Sequence, residues 1–591
     1  MSGGFISVPS IGAVLVPLFV LVSALFGPGL LNVPCTPYLI VALSLGYLER
    51  LGPWSRSVIF PGLYLLACLT VGTGLAYSGM LQSDVWDNSL MGTPFLIGLG
   101  VSIINLIPLW IHLAWHRRFL PQERFQNGGL ALLGTLVAPA VWVALFTIIY
   151  AVSPIGSYGS IAYTQFQIEP LVQWASVAGI SGIEFYVVWA SVILHRTWKN
   201  YVRLDSRDSD TQNWGNIGQG RGDGLDTRRC HGRFRLFRRI LFAPAPTFVI
   251  VTFVIFLYGS MRFWNGNGTF FMKPLSSTML PTVRASCVIG SSDSNNMSGY
   301  LNQTVEYAKQ GSEIVIWSET AVLMNNSQMA DQFLNVAKNI STTYGIYLGV
   351  TYSQFLDEQL VQSKNMFTLV DPQGEIAFMY QKAHPVTMVE TTVTAGPNVL
   401  PVADSDKFGR LGGSICFDMD FQNFIAQAGK KKVDLMLQPS WTWGSIGRLE
   451  ASIQSFRAVE QGFSLFRCGS WAPSTAWDAY HQLFGYTYNL GSGSFHADIP
   501  LRKHVSTIYT AVGSLWSYIC CVYAIASLVL VLIPQRFLDQ GMARLGGHRL
   551  FFKVGSNDTS IDGSNASENN NQLASVDQEG LAHSGTAEES V

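Results

Sequence analysis

Polar residues are scarce in the first half of the chain, where apolar runs of about 20 residues begin near Ile11, Leu31, Val58, Pro94, Gly129, Leu171 and Ile240. An eighth runs from about Ile508 to Ile533. At a helical rise of about 1.5 Å per residue, each is long enough to cross a hydrocarbon core about 30 Å thick. The pattern predicts seven membrane-spanning helices, an interval, and one more. The first run lacks a basic flank ahead of its apolar core and leads into further apolar runs, so it reads as a retained span rather than a leader. The second is interrupted by Pro34 and Pro37 and is the least regular.

Between the seventh and eighth runs the periodicity changes. From about Arg284, short β-rich runs alternate with amphipathic stretches, the pattern of an α/β domain. Ser312–Trp317 reads as a buried strand after a helix from about Leu301, and a second helix and strand follow in Ala330–Tyr352. Asn365–Gln381 reads as a hairpin turning at Asp371-Pro372-Gln373-Gly374. Leu411–Phe417 is an apolar strand ending at Cys416, and helix, strand, helix and strand follow from Gln422 to Cys468. The predicted organisation is a membrane domain over residues 1–264, an α/β domain over 265–504, a final span over 505–535 and a tail over 536–591.

Charge orients this frame. Arg50 and Arg56, then Arg117, Arg118 and Arg124, then a basic loop near residues 196–239 containing Arg228, Arg229, Arg233, Arg235, Arg238 and Arg239 alternate with segments free of Lys and Arg. The positive-inside rule sends the basic loops to the cytoplasm. Seven crossings then place about Asn265 to about His504 outside it. Sequons at Asn267, Asn296, Asn302, Asn325 and Asn339 cluster at the start of that block, as expected of a eukaryotic glycoprotein of the secretory pathway or plasma membrane. The loop around Ser206–Asp226 and the tail from Gly555 to Val591 have too few apolar residues to bury a core, so both are expected to be disordered and cytoplasmic. A composition 48% hydrophobic and 13% charged fits a membrane protein, and a net charge of −1 argues against a nucleic-acid partner. The eight cysteines show no metal-ligand spacing, and neither metal nor cofactor is expected. Cys287 and Cys468 share the side expected to be oxidising, but nothing in the sequence brings them together.

Three polar residues stand where strands run out: Glu319 in WSET, Lys382 in YQKAHPV and Cys416 in GGSICFD. Strand ends are where α/β architectures assemble sites. The three resemble, one for one, the Glu, Lys and Cys triad of the nitrilase, or carbon–nitrogen hydrolase, superfamily. Combined with membrane spans, the chain looks like its apolipoprotein N-acyltransferase branch, which places a nitrilase domain outside the cytoplasm between seven spans and an eighth. The branch's second glutamate, eight residues after the lysine, is matched by Glu390, and its histidine two residues after the lysine by His384. After the cysteine it has an aromatic residue and a glutamate, where this chain has Phe417 and the shorter Asp418. A later pattern is matched by Trp443, Gly444, Arg457, Ala458 and Glu460, but the asparagine-glycine that follows is replaced by Gly469-Ser470-Trp471-Ala472. Gly179-Ile180-Ser181-Gly182 resembles the branch's small-residue segment.

The resemblance implies an α-β-β-α sandwich joined to a multi-span helical domain. A free thiol is mostly protonated at neutral pH, so Cys416 needs a base, for which Glu319 is the candidate. Lys382 and the N–H of Cys416 or Phe417 are candidates to stabilise the oxyanion. Glu390, Asp418 and Phe417 are supporting candidates, and Glu460 is expected to ion-pair or cap within its helix. The implied reaction moves a phospholipid acyl group to Cys416 as a thioester and then to an amine, which in bacteria belongs to the N-terminal lipid-modified cysteine of a lipoprotein. The expected partners are therefore the membrane, a phospholipid donor and an amine-bearing protein or lipid. The alternatives are a membrane-tethered amidase, with water as second nucleophile, and a scaffold that keeps the fold without the chemistry.

Overall fold

The computed structural model describes residues 11–29, 31–51, 56–78, 92–119, 128–208, 243–266, 280–290, 297–356, 361–387, 389–442, 446–488, 493–534 and 537. Helices form at all eight predicted places: α1 (Ile11–Leu25), α2 (Thr36–Arg50), α3 (Arg56–Tyr77), α4 (Thr93–Phe119), α5 (Gly128–Val152), α6 (Ala175–Asp208), α7 (Pro244–Gly266) and, after the α/β domain, α12 (Leu515–Leu532). Six are long and apolar enough to cross a membrane. Helices α1 and α2 have 15 residues each, spanning about 22 Å and falling short of a full hydrocarbon core. Pro37 does not break α2 but lies in its first turn, where the missing N–H has no acceptor to lose. Apolar side chains face outward along these helices, as at Phe60 (80% exposed) and Val522 (69% exposed), which suits a lipid solvent. Ser206–Asp208, expected to begin a disordered loop, instead close α6, while the rest of that loop to Asp226, the basic loop from Arg228, Arg124, Asn267, Asn296 and the tail from Gly555 lie outside the described residues.

The α/β domain is two sheets packed face to face with helices outside each. One sheet has the order β13-β1-β2-β4-β5-β6, with β3 (Val322–Met324) paired to β4. Its members are β1 (Thr282–Ile289), β2 (Ile314–Trp317), β4 (Tyr347–Phe355), β5 (Ser363–Val370), β6 (Ile376–Gln381) and β13 (Gly493–Pro500). The other sheet runs β12-β11-β10-β9-β8-β7. It consists of β7 (Val402–Ser405), β8 (Gly409–Gly413), β9 (Leu435–Trp441), β10 (Ser464–Ser470), β11 (Pro473–Trp477) and β12 (Leu483–Tyr488). Residues such as Ala285, Ile316 and Leu369 of one sheet and Leu411, Leu437 and Leu465 of the other form a single buried core. Helices α8 (Met297–Lys309) and α9 (Ser327–Tyr344) cover the first sheet through Tyr300, Phe333, Leu334 and Ala337.

The second sheet is covered by α10 (Gln422–Lys430) and α11 (Ile446–Gln461). Helix α11 reaches solvent only at Arg448 and, in part, at Ser452. Ala458 joins the sheet core, whereas Leu449, Ile453, Phe456 and Val459, at helical spacing, pack with Leu171, Ile180, Val187 and other membrane-domain residues. Burial on two sides explains why 14 of its 16 residues are inaccessible. The α/β domain is thereby seated on the membrane-type helices through an apolar helix face rather than a linker. Cys287 on β1 and Cys468 on β10 form a disulfide between the sheets, a pairing across 181 residues.

Candidate active site

The three predicted catalytic candidates each sit just beyond a strand, Glu390 lies in the loop after β6, and the packing of the two sheets brings those strand ends together. Glu319 follows β2 by two residues, and Lys382 directly follows β6. The apolar run predicted as one strand to Cys416 stops earlier: β8 ends at Gly413, and Cys416 opens a 3-10 turn over Cys416–Asp420. Cys416 takes a positive φ of 44°, and Thr320, after Glu319, takes 50°. Side chains seldom hold that region without surrounding constraint, and such strain gathers at functional sites.

The polar contacts form one connected set. Lys382 Nζ donates to Glu319 Oε1 at 2.8 Å and to Glu390 Oε2 at 2.7 Å. Asn365 Nδ2 donates to Glu319 Oε1 at 2.8 Å and reaches Glu390 Oε1 at 3.5 Å, while Trp441 N–H donates to Glu319 Oε2 at 2.7 Å. Both oxygens of the candidate base are thus fixed in direction. Glu390 Oε2 also accepts Val386 N–H at 2.6 Å, which closes the loop after Lys382 around the ammonium.

Asp418 holds the lysine loop to the cysteine turn. Its Oδ2 accepts Ile415 N–H at 3.0 Å and Tyr380 OH at 2.8 Å, and its Oδ1 accepts His384 N–H at 2.9 Å and pairs with His384 Nδ1 at 3.0 Å. The shorter acid is therefore fully occupied. The His384 ring also stacks on Phe421, centroids 3.8 Å apart, and Phe417 meets the same ring edge-on at 5.4 Å. These contacts give His384, Phe417 and Asp418 work in loop placement.

Burial sets the electrostatics. It raises the Glu319 carboxyl above its ordinary pKa despite the opposing Lys382 charge, and so favours proton uptake. Burial alone would depress the Lys382 ammonium, but Glu319 and Glu390 outweigh it and hold the pKa well above the usual lysine value. The Cys416 thiol is pushed up, first by burial and then by Glu319, against the pull of Lys382 and Arg467. A thiol so raised needs both a base and donors for the thiolate. A 3-10 turn leaves its first N–H groups without acceptors inside the turn, and here they belong to Cys416 and Phe417.

Beneath Cys416 lies a polar layer that sequence reading missed. Gln438 Nε2 and Gln454 Nε2 each donate to Cys416 O at 3.0 Å, and Ser440 Oγ donates to Cys416 Sγ at 3.2 Å. Asp420, next to Glu450, has its carboxyl pushed well up, by burial first and then by that neighbour. The missed residues have one signal in common. Asn365, Gln438 and Gln454 are amides with no solvent exposure in stretches whose neighbours are apolar, where an unpaired amide would be costly.

The membrane domain reaches the same turn. Ser157, between α5 and α6, donates its N–H and its Oγ–H to Asp420 O at 3.0 and 2.9 Å. Arg457 Nε donates to Met419 O at 3.1 Å, and its Nη2 donates to Ser157 Oγ at 2.6 Å and to Tyr163 OH. Its Nη1 pairs with Glu460, as expected within one helix. Glu460 also reaches further: its Oε1 accepts Ile180 N–H at 2.8 Å. That N–H lies beside Gly179, whose φ of 67° interrupts the helical hydrogen bonds of α6. Trp443 and Gly444 lie outside the described residues, and Trp471 takes a positive φ of 57° in the segment that replaces asparagine-glycine.

Residues 285–492 match the carbon-nitrogen hydrolase family. Over 489 residues the chain is 21% identical to the apolipoprotein N-acyltransferase of Geobacter metallireducens, covering 76% of this chain and 83% of that protein. A stretch of 85 residues is 32% identical to a deaminated glutathione amidase of Synechocystis, covering 13% of this chain and 31% of that enzyme. The Dictyostelium discoideum amidase of the same name is 28% identical over 151 residues, covering 23% and 52%. The chain thus matches about a third to about a half of the length of these amidases. Among solved structures, an amidase from Nesterenkonia sp. aligns with 38% of this chain and 94% of its own at 18% identity, with a TM-score of 0.33.

Proposed function

Starting from a carbon–nitrogen hydrolase domain at residues 285–492 of a chain that also carries membrane-type helices, we propose that the protein is a membrane N-acyltransferase. The observation that carries this reading is the seating of the Cys416–Asp420 turn on the membrane domain, through Ser157 and through Arg457. A nucleophile fixed to the membrane helices meets a phospholipid ester without extracting it from the bilayer. The likeness to an apolipoprotein N-acyltransferase extends over both parts of the chain, which adds support.

In the first half-reaction Glu319 takes the thiol proton as Cys416 Sγ attacks the ester carbonyl. The tetrahedral oxyanion is met by Lys382 and by the N–H groups of Cys416 and Phe417. Collapse breaks the ester C–O bond, and Glu319 returns its proton to the departing lysophospholipid oxygen. An amine then attacks the thioester, the C–S bond breaks, and the amine proton passes through Glu319 to the sulfur. Glu390 keeps Lys382 in place throughout. The acceptor is an amine on a protein or lipid.

The catalytic domain is assigned to the extracytoplasmic or lumenal side. Charge alternation, the Cys287–Cys468 disulfide and the exposed sequon residues Asn302, Asn325 and Asn339 on α8 and α9 or just before α9 all support that side. A membrane-tethered amidase is the second reading, favoured by the stretch shared with deaminated glutathione amidases. Protein in nanodiscs with acyl-labelled phospholipid tests the first. A hydroxylamine-labile label on Cys416, absent from Cys416→Ser and transferred on adding a primary amine, is expected. Folded protein that takes no label but releases amine from small amides without lipid makes it an amidase.

A further inference from the structure

The cations and carboxylates around Cys416 are unequally matched. Glu319 and Glu450 face Cys416, and the one ammonium among the described site residues, Lys382, is hydrogen-bonded to both Glu319 and Glu390. Passing the thiol proton to Glu319 neutralises that carboxylate, but the new thiolate must share Lys382 with Glu390 and stands near Glu450. The second cation is Arg467 on β10, fully buried, whose side chain contacts only neutral groups among the described hydrogen bonds: Pro473 O at 3.1 Å, Gln454 Oε1, and Thr442 Oγ1 at 3.1 Å.

From Arg467 the contacts lead to sulfur. Thr442 Oγ1 lies 3.1 Å from Ser440 Oγ, which lies 3.2 Å from Cys416 Sγ; Thr442 Oγ1 is itself 3.8 Å from the sulfur, and Trp441 O is 3.6 Å away. A guanidinium only donates, so Thr442 accepts from Arg467 and must turn its own proton outward. Ser440 is the nearer acceptor, and Ser440 in turn directs its proton at the sulfur. All the hydroxyl dipoles then point the same way, with their positive ends toward Sγ.

We propose that Arg467, Thr442 and Ser440 form a polarised hydrogen-bond relay that stabilises the Cys416 thiolate, with Ser440 as a further catalytic residue and Thr442 and Arg467 as positioning residues. The proposal rests on the reading of Cys416 as the nucleophile. No bond is made or broken in the relay: the thiol proton goes to Glu319, and the sulfur lone pair left behind accepts the Ser440 O–H. The contact acts twice in a turnover, when the thiolate forms and again when the amine expels it from the thioester. The register of the sheet explains the assembly, since parallel pairing of β9 and β10 sets Arg467 beside Gln438, directly under the strand end that carries Ser440 and Thr442.

The test is the pH dependence of Cys416 alkylation by iodoacetamide in the full-length protein in detergent, read by peptide mass with Cys416→Ser as blank. Glu319, Lys382, Glu450 and Arg467 all face this thiol and stay in place in every variant. Ser440→Ala is expected to move the alkylation midpoint up by about one pH unit, making alkylation roughly tenfold slower at neutral pH. Thr442→Val, isosteric and one step upstream, is expected to do the same, and Thr442→Ser to restore the original profile. A midpoint unchanged in both Ser440→Ala and Thr442→Val overturns the relay. If the midpoint moves but no phospholipid-derived thioester forms, the acyltransferase reading fails while the relay stands.

Discussion

Replacing Glu460 by alanine separates a helix-local role from one that joins the two domains. Arg457 and Glu460 are almost wholly buried, with side-chain exposures of 0% and 1%. Glu460→Ala leaves the guanidinium without its only carboxylate partner among the described ion pairs, a loss of about 3–5 kcal/mol for a buried pair. It also orphans Ile180 N–H beside the Gly179 interruption, worth a further ~1–3 kcal/mol. Glu460→Gln removes the charge but keeps an oxygen for Ile180, so it should cost less. A change of this size is a large part of a domain's stability. At about 2–4 °C per kcal/mol, Glu460→Ala should lower the apparent melting temperature by about 10 °C or more, with Glu460→Gln between it and the parent. Thermal aggregation of a fluorescent fusion in detergent, followed by size-exclusion chromatography, measures this directly. A Glu460→Ala protein melting within about 2 °C of the parent would refute the reasoning, because a pair so buried and so connected cannot be removed without consequence.

Asn365→Ala removes a donor from Glu319 and should slow thioester formation by about tenfold while leaving expression intact, as measured by single-turnover labelling with acyl-labelled phospholipid. The Cys287–Cys468 disulfide predicts that the denatured, unreduced protein takes up two fewer maleimide tags than the reduced protein; equal uptake would show both thiols free. Glu319 must be ionised to accept the thiol proton, and burial raises its pKa. Thioester formation should therefore fail on acidification sooner than for a carboxylate in water, while Lys382 stays protonated on the alkaline side. A rate that stays flat down to about pH 4 would contradict Glu319 as the base.

The chain's periodicities determined a good deal on their own. Runs of about 20 apolar residues located eight helices, six of them long and apolar enough to cross a membrane, because a helix in lipid must satisfy its backbone internally and show apolar side chains outward. Alternating β-rich and amphipathic stretches located β2, β4, β5, β6, β9 and β10 and the helices between them. Glu319, Lys382 and Cys416 were legible because each stands in a short motif where a strand runs out and the three together resemble a known triad. The strand drawn through Cys416 was too long, since apolar character cannot tell a strand from the buried turn that follows it.

Tertiary structure decided which of these pieces meet. Cys287 and Cys468 are 181 residues apart, Ser157 and Asp420 are 263 apart, and Ile180 and Glu460 are 280 apart. Strand β13 returns to pair with β1 across the whole domain. None of these partnerships leaves a local period, because closing long loops is rewarded only when complete layers pack. The Ser440 relay belongs to the same class. Its residues are ordinary in sequence, and the parallel register of β9 with β10, beneath a turn pinned by Asp418 and by the membrane domain, gives them a common sulfur to face.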